Sequence, residues 1–182
     1  VKMNKSRLII CVENKLHIFD LINNMKQIYE IQTYLNPFGI FDLCCDDDNN
    51  LLSYPDKSKQ GSIGILDAYN LQKRTIIEAH DNSLQNISFN PDGNYLCSTS
   101  IMGTLIRIFA IPSGTHIYTF RRGTYPSTIY SISFNPSSTL LAISSQRNIK
   151  NITNIISQTY DNKKQQNDDN IYPSIHIFDL NK

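Results

Sequence analysis

Arg121 and Arg122 stand side by side in Thr119-Phe120-Arg121-Arg122-Gly123-Thr124-Tyr125. They follow a run, His116 to Phe120, that reads as a β-strand. Successive side chains of a strand point to opposite faces of its sheet. Two extended neighbouring arginines therefore cannot serve one pocket and must look into two. A guanidinium keeps its charge and offers a fork of donors matched to phosphate oxygens. The pair suggests two anion sites, one on each side of a single strand. An arbitrary Arg-Arg is more often a pair of solvated surface charges, so the rest of the chain has to decide.

The elements that would position these arginines form a repeat. Leu16-His17-Ile18-Phe19-Asp20 returns as Ile63-Gly64-Ile65-Leu66-Asp67, as Ile106-Arg107-Ile108-Phe109-Ala110 and as Ile175-His176-Ile177-Phe178-Asp179. The spacings are 47, 43 and 69 residues. Four-stranded propeller blades recur every ~40–45 residues, so the third spacing is too long by about one loop. Other parts recur in phase: Ile87-Ser88-Phe89-Asn90-Pro91 matches Ile132-Ser133-Phe134-Asn135-Pro136, and Tyr95-Leu96-Cys97-Ser98 matches Leu140-Leu141-Ala142-Ile143. Each is a short β-prone run bounded by Asn, Pro, Ser or Gly, as hairpins require. The fold expected over 1–182 is all-β, a partial WD40-type β-propeller of three to four blades. The first unit is expected to lack its opening strands. A closed ring needs about four to eight blades, and the chain begins with Val1, so it is expected to be part of something longer.

Composition excludes several classes. The chain has 182 residues, 40% of them hydrophobic, and a net charge of +1. That is enough for a sizeable core, and no global field draws it to nucleic acid. No apolar run approaches the roughly 18 residues that span a bilayer, and with Val1 to Lys5 leading straight into Leu8-Ile9-Ile10 no signal peptide is expected. Cys11, Cys44, Cys45 and Cys97 form no C-x-x-C pair, so no metal set is expected and reduced, buried thiols are. Asp46-Asp47-Asp48-Asn49-Asn50 lacks calcium-loop spacing and reads as a turn. No phosphate loop, dinucleotide fingerprint or nucleophile elbow is present, so neither catalysis nor a cofactor is expected.

Ala79-His80, then Ser100-Ile101-Met102-Gly103-Thr104-Leu105-Ile106-Arg107-Ile108-Phe109, then Phe120-Arg121-Arg122-Gly123-Thr124-Tyr125 follow in order. This succession resembles the PROPPIN or WIPI family of seven-bladed propellers, which bind phosphatidylinositol 3-phosphate and phosphatidylinositol 3,5-bisphosphate in autophagy and endosomal traffic. The resemblance implies a first lipid site of Arg121, His80, Ser100 and Thr104. It implies a second of Arg122, Ser144, Ser145, Ser174 and His176, with Ser174 standing where the family more often has Thr. It also implies a cytoplasmic protein, peripheral on pre-autophagosomal, endosomal or vacuolar membranes, monomeric at full length and recruiting autophagy-machinery proteins. A propeller scaffold that binds only proteins is the alternative.

The long spacing falls on a low-complexity segment at 146–172. Its second half, Lys163 to Asn170, is polar and expected to be disordered. In its first half Ile149, Ile152, Ile155, Ile156 and Tyr160 recur every three or four residues, as on one helical face. The family resemblance implies a loop here that dips into the membrane. Equally, Ile and Asn are weak helix formers, and an Asn-rich insertion with chance isoleucines fits the same residues.

Overall fold

The computed structural model describes residues 1–44, 49–147 and 172–181. Within them, strands in consecutive order form four antiparallel sheets, and no helix occurs among the described residues. The first sheet is β1 (Lys2–Met3), β2 (Arg7–Val12), β3 (Lys15–Asp20) and β4 (Lys26–Gln32). The second is β5 (Asp42–Leu43), β6 (Leu51–Pro55), β7 (Ser62–Asp67) and β8 (Gln72–Glu78). The third is β9 (Leu84–Phe89), β10 (Tyr95–Ser100), β11 (Leu105–Ala110) and β12 (Thr115–Arg121). The fourth holds β13 (Ile129–Phe134), β14 (Leu140–Arg147) and β15 (Tyr172–Asp179). The leading strands meet in turn, β1 against β5, β5 against β9 and β9 against β13. This is an arc of a β-propeller.

The first unit does not lack its opening strand, contrary to the expectation. β1 is present but two residues long, pairing Lys2 with Ile9 and Met3 with Leu8. So short a strand carries no periodicity to read. The sheet with three strands is the fourth.

Each inner sheet packs on both faces, which is why β7 is buried throughout while the outer β8 is largely exposed. Ile9, Leu16, Ile18, Leu52 and Leu66 fill the space between the first and second sheets. Ile63, Ile65, Leu96 and Phe109 fill the next, and Ile106, Ile108, Leu141 and Ile143 the one after. Each such side chain stabilises the packing by about 1.5–3 kcal/mol. The aspartates ending the repeated strands have a physical role: Oδ1 of Asp20, Asp67 and Asp179 accepts from the backbone N–H of Ile22, Tyr69 and Asn181 at 2.9, 3.0 and 2.9 Å. The side chain mimics a turn and launches the chain toward its next strand.

Buried charges lock the arc. Asp42 accepts from the Phe89 backbone N–H at 2.7 Å and pairs with Lys2, joining β1, β5 and β9. The buried Arg7 guanidinium donates to the carbonyls of Ala68 and Tyr69 and pairs with Asp20 at 3.2 Å, tying the first sheet to the second.

Cys97 is a buried free thiol, Cys44 is buried and Cys11 is half-buried. Cys45 and Asp46–Asp48 lie outside the described residues. β14 runs on to Arg147 and β15 starts at Tyr172, so the ends of the expected 146–172 loop are paired strand, Gln146 with Pro173 and Arg147 with Tyr172. Ile149, Ile152, Ile155, Ile156 and Tyr160 lie outside the described residues.

Candidate functional site

β12 ends at Arg121, which pairs with Leu105 across β11. The same face carries Thr119 opposite Arg107, and Arg107 opposite Ser98. One step further along this face, Leu96 and Phe109 belong to the cluster packed against the second sheet. Arg121 therefore looks into the crevice between the second and third sheets. It is exposed.

His80 lies in the connection between those sheets, with Nε2 2.9 Å from Ser98 Oγ and its backbone N–H donated to Gly61 at 3.0 Å. Burial, helped by the charge of Arg107, pushes the His80 pKa down to about 4. The ring is thus neutral at neutral pH, a hydrogen-bonding group rather than a cation. Ser100 is buried and Thr104 half-buried. They bracket the hairpin between β10 and β11, at the end of the sheet where β12 also finishes. His80, Ser100 and Arg121 thus lie toward one end of one crevice, whereas Thr104, whose carbonyl accepts from the Arg122 backbone N–H, continues the register of the opposite face.

Sequence reasoning assigned Arg107 no role. Its Nη1 donates to the Ala79 carbonyl beside His80. The repeat contained the signal: Ile106-Arg107-Ile108-Phe109 aligned on Ile175-His176-Ile177-Phe178 puts Arg107 where the second site has His176.

Arg122 continues the opposite face. Its neighbours there are Ile106 and Phe120, and Phe120 stacks on Phe178 of the fourth sheet with ring centroids 4.8 Å apart. The Arg122 backbone N–H extends the ladder to the Thr104 carbonyl at 2.9 Å. Its side chain donates from Nε to Gly103 O and from Nη2 to Tyr125 O, both at 2.6 Å. Across the crevice, Ser145 Oγ lies 2.8 Å from Ser174 Oγ, which lies 3.2 Å from His176 Nε2. Burial, reinforced by the Arg122 charge, lowers the His176 pKa. Arg122, Ser145, Ser174 and His176 thus share the crevice between the third and fourth sheets.

Ser144 does not join them. It pairs with Ile175 on the other face of the fourth sheet, and its hydroxyl lies 2.7 Å from Ser131 Oγ. Adjacent strand residues cannot share a face, so a family-derived pair Ser144–Ser145 divides here.

A PROPPIN family model matches residues 1–170. The chain belongs to the PROPPIN family. Among curated relatives, Autophagy-related protein 18 of Aspergillus terreus is 37% identical over 181 residues, covering 87% of this chain and 44% of that protein. Autophagy-related protein 18 of Schizosaccharomyces pombe is 35% identical over 185 residues, covering 91% and 49%. This PROPPIN chain thus spans less than half the length of those relatives. Among solved structures, Kluyveromyces lactis Hsv2 with its complete loop 6CD aligns at a TM-score of 0.68 and 21% identity, over 83% of this chain and 49% of that one. KlAtg21, solved in complex with the coiled-coil of AgAtg16, aligns at 0.67 and 27% identity, over 78% and 47%. These place the four sheets as part of a PROPPIN β-propeller.

Proposed function

We propose that this chain carries two binding sites for phosphatidylinositol 3-phosphate, with phosphatidylinositol 3,5-bisphosphate as the second ligand. The reading rests chiefly on one observation: Arg121 and Arg122 enter crevices on opposite faces of one sheet, each crevice holding a histidine and serine hydroxyls. A phosphomonoester needs several donors, a fixed cation and little bulk. Two weak sites on one rigid body bind a membrane by avidity, which can exceed single-site affinity by about a hundredfold. The segment at 149–160, with its four isoleucines and Tyr160, would add an apolar contact. The protein would then be a peripheral, non-catalytic effector on membranes of autophagy or endosomal and vacuolar traffic, monomeric at full length.

A protein-binding scaffold is the second reading, favoured by the solved complex of KlAtg21 with a coiled-coil. On this reading the propeller binds only proteins, and autophagy-machinery proteins are the partners it implies. Liposome co-sedimentation of the full-length protein, wild type against Arg121→Thr/Arg122→Thr, separates them. Vesicles would carry phosphatidylinositol 3-phosphate, phosphatidylinositol 4-phosphate or no phosphoinositide. Binding only to the first, lost in the folded variant, is expected. Equal binding by both proteins, or none by either, leaves the scaffold alone.

A further inference from the structure

The hairpin from Ser100 to Thr104 brings Ser100 to the first crevice, yet much of what holds it comes from the second. Within the hairpin, Gly103 N–H donates to Ser100 O at 2.8 Å. On the side of the second sheet, Ile101 N–H donates to Ser83 O at 2.9 Å. On the side of the fourth, Ser127 N–H reaches Met102 O at 3.1 Å, and Arg122 supplies both a backbone bond to Thr104 O and the Nε bond to Gly103 O. The same guanidinium holds Tyr125 O through Nη2. It is a bridge between the hairpin and the connection that leaves β12. Its fork geometry matters, because the two acceptors lie on separate loops and a single ammonium head cannot present two spaced, coplanar donors.

The packing leaves the hairpin little freedom once the bridge is made. Gly103 adopts φ +58°, and a Cβ there would sit 1.9 Å from Ser127 O. The bridged connection thus runs directly against the turn that carries Ser100 and Thr104.

We propose that Arg122 is a positioning residue for the first anion site as well as a member of the second, so that the two sites are coupled through the Ser100–Thr104 hairpin. This rests on the two-site reading above. Losing the fork weakens both sites, whereas losing Ser174 or His176 weakens only the second.

The test uses the full-length protein carrying Ser174→Ala/His176→Ala, in which binding of soluble short-chain phosphatidylinositol 3-phosphate reports the first site. Arg122→Lys is added to this background, keeping the charge and removing the fork. Calorimetry is expected to find the remaining affinity lowered roughly fivefold or more, about 1 kcal/mol. Hydrogen exchange without ligand is expected to accelerate at the Ile101 and Gly103 amides, with β2 to β8 unchanged. Arg121→Lys serves as the contrast, lowering affinity without altering exchange. Affinity within twofold of the background overturns the coupling whatever the exchange result. Failure of the wild type to bind the lipid overturns the two-site reading itself, and exchange alone then decides whether Arg122 holds the hairpin.

Discussion

Ser145 and Ser174 face each other across β14 and β15 with their hydroxyl oxygens 2.8 Å apart. Ser145 is fully buried, so its hydroxyl depends on this partner. Ser145→Ala and Ser174→Ala should each cost about 1 kcal/mol in urea denaturation. The double variant should fall short of additivity by about 0.5–1.5 kcal/mol, because one contact is lost in both. Strict additivity would mean that the pair contributes nothing to stability.

Ser144 offers a sharper test of the second site, because it lies on the opposite face against Ser131. Ser144→Ala should leave binding of soluble phosphatidylinositol 3-phosphate within twofold of wild type. Ser145→Ala should weaken it by roughly three- to tenfold, the loss of one hydrogen bond to a charged group. The reverse ranking would return the site to Ser144 and remove the crevice between the third and fourth sheets as its location.

His80 gives the fold an acid-sensitive contribution. Burial, then the Arg107 charge, lowers its pKa to about 4 from the ordinary 6.5. As pH falls below about 6.5 the unfolded chain takes up this proton and the folded chain does not. The contribution is thus intact above that value, is lost progressively toward pH 4, and declines no further below it. The slope cannot exceed about 1.4 kcal/mol per pH unit. His80→Gln should flatten the pH dependence of the urea midpoint between these limits. An unchanged slope would show that the wild-type acid sensitivity comes from other groups.

Much of this architecture was legible because propeller packing imposes the same demand on every unit. The apolar positions of Leu16-His17-Ile18 and Ile106-Arg107-Ile108 both fill inter-sheet space, so they recur visibly. The opposed directions of Arg121 and Arg122 followed from strand geometry alone. Three things escaped. β1 was too short to pattern. Ser144 and Ser145 are alike as residue types, and only the register of β14 against β15 tells which one enters the crevice. Arg107 was hidden by its place in an apolar strand, although its half-buried guanidinium acts on the backbone beside His80.

The two glycines nearest the arginines should behave oppositely. Gly103 has φ +58° and lies where a Cβ would come within 1.9 Å of Ser127 O. An alanine there meets both left-handed strain of about 1–2 kcal/mol and a backbone clash that only a shift of the connection relieves. Gly123, directly after Arg122, has nothing within 4 Å of an added Cβ and no left-handed φ. Gly103→Ala in the full-length protein should therefore cost about 3 kcal/mol or more in chemical denaturation. Gly123→Ala should stay within about 0.5 kcal/mol of wild type, as surface substitutions away from strained positions do. The damage from Gly103→Ala should also reach lipid binding, since the shifted hairpin carries Ser100 and Thr104. Equal stabilities for the two variants would sink this account, because the left-handed φ of Gly103 and the close approach of Ser127 to it both separate the two positions.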